Sequence, residues 1–228
     1  MEHLNNRRSK GGTLMDKHQV AWNQRIVELL ITNLEKRRME ASYAPTAEQA
    51  KQEILQMIPE GSVVYRTGSM TATYMGLWDE IPKIAGVEVI DPYNQGKTPE
   101  EGIELRRKGM MADIMVTGCN AVTMDGELVN LDGTGNRVAA MIFGPKKVIL
   151  AVGMNKVVPD LETAMIRVKH YAAPVNVMRL NFKNPCLEDG QCHDCSSPKR
   201  ICNMWGIIEG HSIKDRIHVK LIGENLGY

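Results

Sequence analysis

DIMVTGCNAVTMDGELVNLDGTGNRVAAMIFGPKKVILAV, residues 113–152, decides the fold. DIMVTG is a short apolar run that reads as a strand. VTMDGELVNL carries Asp125-Gly126, a hairpin signal between two apolar arms. After the glycine-rich turn around Gly133 and Gly135 a helix starts near Asn136, and KKVILAV is a further strand. Upstream, SVVYR and VEVI (87–90) read as strands, the second closed by Asp91-Pro92. The expected helices run from about His18 to Met39, with Ile26, Val27, Leu30 and Leu34 as the buried stripe, and along PTAEQAKQEILQMI. In the latter Thr46 and Gln49 form a capping-box pattern, and Pro59 and Gly61 stop the helix. TPEEGIELRRKGMM places Thr98, Pro99 and Glu101 at good N-cap, N1 and N3 positions. PDLETAMIRVKHYAA is the next helix. Beyond Pro174 the regular pattern dissolves, and RIHVKLIG returns as a final strand. Strands alternating with helices of this length predict an α/β fold, a mainly parallel sheet flanked by helices. An irregular four-cysteine segment follows it.

The whole sequence sets the bounds. At 228 residues the chain can bury a core without cross-links. A net charge of +1 gives no electrostatic case for nucleic acid or an anionic membrane. No apolar run reaches the roughly 18 to 20 residues of a membrane span. The start, MEHLNNRRSKGGTL, is polar and basic rather than a signal-peptide core. Cytoplasmic location is the expectation. Residues 1–16 are expected to be a disordered tail, with Met15 as an alternative start. Residues 17–180 form the expected α/β domain, and residues 181–228 a cysteine-rich segment that returns to the core. Fifteen methionines against two phenylalanines read as a core filled by Met in place of Phe.

Two glycine-rich loops fall at carboxyl ends of expected strands, where open α/β sheets bind ligands. In the first, TGSMTA, Gly68 permits a tight turn, and Ser69 and Thr71 are placed to face an anion at a helix start. A plain helix cap is the competing reading. The loop lacks the lysine of a Walker-type phosphate loop. The second loop gathers Asn120, Asp125, Asn130, Asp132, Asn136 and Arg137 among glycines. Such groups either bond each other or converge on a ligand, and Arg137 has the geometry to clamp a carboxylate or phosphate. Asp125 and Asp132 are the candidate acid/base residues. Cys119 stands apart in TGCNA and reads as a buried thiol rather than a nucleophile, because no histidine partner is evident. His170 reads as an ordinary helix residue.

The remaining cysteines, Cys186, Cys192, Cys195 and Cys202, fall in PCLEDGQCHDCSSPKRICN (185–203). An odd total of five without a secretion signal argues against a disulfide framework. A compact run with one C-x-x-C fits a [4Fe–4S] ligand set better than the paired knuckles of structural zinc. Zinc stays as the alternative, and free or redox thiols as a third. His193 is a substitute ligand or a solvent-facing neighbour, and Lys199 and Arg200 lie beside the thiols.

Three stretches, TGSMTATYMGL, the block 117–156 and the cysteine segment, closely resemble the LUD-domain (LutC/YkgG-like, lactate-utilization) family, from about Trp22 to about Gly206. The resemblance implies the fold of ribose-phosphate isomerases, glucosamine-phosphate deaminases and CoA transferases. It implies a pocket for phosphate or a phosphorylated small-molecule cofactor at Thr67, Gly68, Ser69 and Thr71, and at Asp125, Gly126, Asn130, Gly133 and Thr134. With the residue-level reading, the candidate ligand set is Thr67, Gly68, Ser69, Thr71, Asn120, Asn130, Gly133, Thr134, Gly135, Asn136 and Arg137. The family name further implies lactate or organic-acid utilization alongside iron–sulfur oxidoreductase subunits, with a cluster acting in electron transfer. No glutamate matches a CoA-transferase nucleophile; Glu127 lies outside any such pattern. The alternatives are a non-catalytic assembly subunit with a structural metal, and a sugar-phosphate isomerase or transferase.

Overall fold

Ile114–Gly118 is buried at every position, as a strand covered on both faces requires, and it lies inside the main sheet. The computed structural model describes residues 16–228. Of the expected tail only Asp16 is among them, and it caps the first helix; residues 1–15, Met15 included, lie outside the described residues.

In chain order the strands are β1 (Glu40–Ala44), β2 (Val63–Arg66), β3 (Glu88–Ile90), β4 (Ile114–Gly118), β5 (Ala121–Thr123), β6 (Leu128–Asp132), β7 (Lys147–Gly153), β8 (Val157–Val158), β9 (Met204–Ile208) and β10 (Ile217–Ile222). The helices are α1 (Lys17–Lys36), α2 (Ala47–Gln56), α3 (Met70–Tyr74), α4 (Leu77–Glu80), α5 (Pro99–Gly109), α6 (Asn136–Phe143), α7 (Leu161–Arg167), α8 (Ala173–Leu180) and α9 (Cys186–Asp189). Six strands form the main sheet in the order β1-β10-β7-β4-β2-β3, and every pairing in it is parallel. A smaller sheet, β8-β5-β6-β9, stands beside it.

Both faces of the main sheet are covered, and β7 shows how. Val148, Leu150 and Val152 pack with Val27, Leu30 and Leu34 of α1. Ile149 and Ala151 pack on the opposite side with Ala50 and Ile54 of α2. The period of two sends alternate side chains to separate cores. At the helix starts Thr46 and Thr98 accept from the backbone N–H three residues on. Glu101 closes a full box at Thr98, whereas the Gln49 side chain donates to Glu53 and leaves α2 with half of the expected box. The Asp125-Gly126 turn joins β5 and β6 as an antiparallel pair.

Four local expectations need correction. Helix α1 ends at Lys36, because Arg38 takes a left-handed φ of 64° and turns Met39 into the core. The next residues form β1, whose Glu40 and Ser42 break the apolar pattern that marks a buried strand. Regular structure does not stop at Pro174. A π turn over Val168–Ala172 precedes it, and Pro174 occupies the first turn of α8, where its missing N–H is tolerated. Finally, Met204–Ile208 leaves the cysteine segment to pair antiparallel with β6.

Candidate functional site

The carboxyl ends of β2, β4 and β6 open onto one cavity of about 390 Å³. That is within the range of small-molecule sites. Thr67, Gly68 and Ser69 enter it from the end of β2, Gly118, Cys119 and Asn120 from β4, and Asp132, Gly133 and Thr134 from β6. Asn136 and Arg137 enter from the first turn of α6. Among the expected ligand residues, Thr71, Asn130 and Gly135 stand behind this lining. Asp125 is exposed at the tip of the β5–β6 hairpin, away from the cavity.

Arg137 is buried and its guanidinium is engaged on every side. It donates to Asp132 Oδ1 from Nε and Nη2 at 3.0 and 2.7 Å, to Asn130 Oδ1 at 2.7 Å, to Asn120 Oδ1 at 2.8 Å and to the Gly118 carbonyl at 3.1 Å. The second Asp132 oxygen accepts from the Val138 N–H at 2.9 Å. Asn120 Oδ1 also accepts from the Leu131 N–H at 3.0 Å. This network joins the ends of β4 and β6 to the start of α6 and satisfies its own polar groups. Asp132 is therefore held as a partner of Arg137, and Arg137 as the brace of its loop.

The first loop is built the same way. Ser69 caps α3 by accepting from the Ala72 N–H at 3.2 Å, and Thr67 Oγ1 donates to the Val116 carbonyl. A Cβ on Gly118 would fall 2.8 Å from Ser69 Oγ, so glycine is required for the two loops to approach. Cys119 donates its thiol proton to the Ala121 carbonyl, and full burial pushes its pKa up. It is a neutral thiol.

The remaining wall is positive. Five cationic side chains line the cavity, Arg66, Arg106, Arg137, Lys156 and Arg179, against the single carboxylate of Asp132. Arg66 pairs with Asp91 at 2.8 Å and lies over the Trp78 ring. Arg106 lies over Tyr93, and Arg179 donates to Asn176 Oδ1 at 3.0 Å. Among the described residues neither Arg106 nor Arg179 nor Lys156 forms an ion pair. Lys156, 3 % exposed, donates to Thr71 Oγ1 at 2.8 Å. Burial, with Arg167 and Arg137 nearby, lowers its pKa to about 7. Of these cations the sequence reading named only Arg137; Arg66, Arg106, Lys156 and Arg179 come from different elements and were not among its ligand residues. The one local signal for Lys156 was its place in GMNK, just past the end of the strand KKVILAV.

The cysteine segment supplies part of the cavity wall through Phe182 and Ile201. A Cβ on Gly133 would meet Ile201 Cα at 3.1 Å, so that loop and the segment touch backbone to backbone. Cys186, Cys192, Cys195 and Cys202 surround a second, small cavity of about 20 Å³. All four thiols are free and half-buried. The Cys186 thiol is pushed up in pKa by burial and then by the other three sulfurs. Asp194 takes an ion pair from Lys169 at 2.6 Å and one from Arg200 at 2.9 Å, which pins the loop to the π turn. His193 faces Asp189 at 2.9 Å. Among the described residues no three His, Cys, Asp or Glu side chains stand at the spacing of a single-ion site.

Comparison with known proteins gives three findings. The family model "LUD domain" matches residues 27–222. No curated protein matches the chain. Among solved structures, a DUF162 family protein from Deinococcus radiodurans is 12% identical with a TM-score of 0.49, covering 87% of this chain and 96% of that one. The eIF2B delta chain from Chaetomium thermophilum is 18% identical with a TM-score of 0.36, over 64% of this chain and 56% of that one. The Pyrococcus horikoshii translation initiation factor eIF-2B is 17% identical at 0.32, over 50% and 48%.

Proposed function

The chain belongs to the LUD-domain family, and from that premise we propose a protein of lactate or related organic-acid utilization that binds a small anion in its main cavity. The cation excess supports the reading most directly: Arg137 and Arg66 are paired with Asp132 and Asp91, whereas Arg106, Arg179 and Lys156 face the cavity without a carboxylate. A carboxylate or phosphate would complete the charge balance. Arg106 and Arg179 are the groups to hold it, since an arginine fork matches both anions. Gly68, Ser69, Gly133 and Thr134 would supply the close backbone approach.

The second half of the proposal is a [4Fe–4S] centre on Cys186, Cys192, Cys195 and Cys202, acting in electron transfer with iron–sulfur oxidoreductase subunits. Four thiols around one cavity are the soft donors that such a group takes. Lys169 and Arg200 beside them favour its negative charge. The cluster would supply one-electron chemistry when bound, next to the wall that Phe182 and Ile201 give to the main cavity.

Two measurements test the halves separately. Protein purified without oxygen is assayed for iron, acid-labile sulfide and visible absorption. About four iron and four sulfide per chain, lost in Cys192→Ser, is the expected result; one zinc and no colour would replace the cluster with a structural metal. Thermal unfolding with lactate, oxalate and inorganic phosphate tests the cavity, and flat curves for all three would sink the anion reading.

A further inference from the structure

We propose that Lys156 is a nucleophilic amine, which adds to the carbonyl carbon of a small compound that also carries a carboxylate or phosphate. The inference rests on the anion reading of the cavity and deepens it by naming the reactive group and the substrate class.

The geometry comes first. Lys156 ends the short turn Met154–Lys156 after β7. Its neighbour Asn155 clamps that turn, accepting from the Leu226 N–H and donating to the Gly227 carbonyl, both at 3.0 Å. Lys156 lines the cavity, and Nζ donates to the fully buried Thr71 hydroxyl. Thr71 in turn donates to the Leu226 carbonyl at 3.2 Å. Among the described residues Nζ has no other hydrogen-bond partner and no carboxylate. An ammonium carries three donors, so the charged form would leave two of them buried and unmatched, which is costly. The neutral amine avoids this and presents a lone pair.

The surrounding charges act in the same direction. Burial is the largest cause of the fall in pKa to about 7. A Cys119 thiolate would oppose it, but burial keeps that thiol protonated, and Arg167 and Arg137 reinforce the fall. At pH 7 about half of such amines are neutral, against on the order of 3 in 10,000 for an ordinary lysine. A desolvated lysine beside other cations is the situation in which this side chain becomes a nucleophile. Positive neighbours also select the partner: an electrophilic carbon in a molecule bearing negative charge. A 2-oxo acid and a carbonyl sugar phosphate both meet that description.

The step balances without an oxidant or reductant. The Nζ lone pair forms the C–N bond while the carbonyl π pair moves to oxygen, which takes a proton. The carbinolamine then loses water, carrying off the former carbonyl oxygen, and leaves an imine on Lys156.

Reductive trapping tests the proposal on the whole protein. Glyoxylate and glycolaldehyde phosphate are each incubated with it in the presence of cyanoborohydride, and the modified peptide is mapped by mass. One adduct at Lys156, about tenfold above the surface lysines, absent in Lys156→Met and retained in Cys119→Ser, is the expected result. Trapping of glyoxylate alone assigns a 2-oxo acid, and trapping of the phosphate alone a sugar phosphate. Adducts spread over surface lysines, while oxalate or phosphate still raises the unfolding temperature, would overturn this inference and leave the anion pocket standing. An adduct without any anion stabilisation would support the amine and overturn the pocket; neither would overturn both. Competitive acetylation of the unmodified protein against pH gives a check that needs no variant. A midpoint for Lys156 near 7 supports the proposal, and one near 10 overturns it.

Discussion

Arg137 and the pair Arg106 and Arg179 line the same cavity but do different work. Arg137 is buried, and its guanidinium donates to two side-chain amides, a carboxylate and a backbone carbonyl. Arg106 rests on a tyrosine ring, and Arg179 has only neutral partners, the Asn176 amide oxygen and the Tyr228 hydroxyl. A guanidinium whose donors are all matched holds the protein together. One with donors left over is available to a ligand. The residues that look most like a binding motif thus build the frame, and the reactive wall comes from scattered positions.

The largest effect should come from the frame. Arg137→Met leaves Asp132 charged, buried and without its partner, and should cost about 3–5 kcal/mol of stability. In urea this is read as a lower midpoint at unchanged slope. A loss below about 1 kcal/mol would mean that the network is not a brace, and the contrast would collapse.

Lys156→Met should act in the opposite direction. The folded-state value, about 7, lies below the unfolded value of 10.5, so the unfolded chain binds more protons between those limits. Wild-type stability then rises with pH from about 7 to 10.5, and the penalty is complete below 7. The methionine variant removes it. Its advantage should be on the order of 4 kcal/mol at pH 6 and should fade toward pH 10.5. Parallel melting curves of the two proteins at pH 6 and pH 9.5 would contradict the assignment.

Arg106→Ala and Arg179→Ala should leave stability within about 0.5 kcal/mol while weakening phosphate or oxalate binding about tenfold each, near 1.4 kcal/mol. Calorimetric titration separates the two quantities. A large stability loss with normal binding would exchange the roles assigned to the two sets of arginines. The smallest effect belongs to Asp125→Asn, at the exposed hairpin tip. Neither melting temperature nor anion affinity should move beyond error, and a clear loss of binding would bring that turn back into the site.

Much of the fold was legible because it rests on local signals. The capping of α2 and α5, the Asp125-Gly126 turn and the apolar runs of β4 and β7 each carry their own chemistry within a few residues. The β1 strand was not legible. Glu40 and Ser42 belong to a polar cluster in which His218 contacts the Ser42 hydroxyl and the Glu40 carboxylate at 2.8 and 3.1 Å, so their strand carries no apolar alternation. The continuation through Pro174 was hidden because proline normally ends a helix, and only the preceding π turn makes room for it. For the cavity, the loops at residues 67–69 and 118–137 were visible as polar, glycine-rich strand ends. What the sequence could not disclose was which of their side chains are matched internally. Hydrogen-bond saturation depends on partners far apart in sequence, 85 positions for Lys156 with Thr71 and 155 for Thr71 with Leu226.

The strand order carries a consequence for how this chain is made. β10 lies between β1 and β7, paired with both, so the first strand formed has no neighbour in the sheet until residues 217–222 have been synthesised. Until then β1 is detached, and one side of β7 is an open edge able to pair with another chain. Pairing across so long a loop is slow to close. The period of greatest aggregation risk therefore lasts until residues 217–222 are made, and it ends in one event: a single hexapeptide slides into the slot and joins β1 to the other four strands.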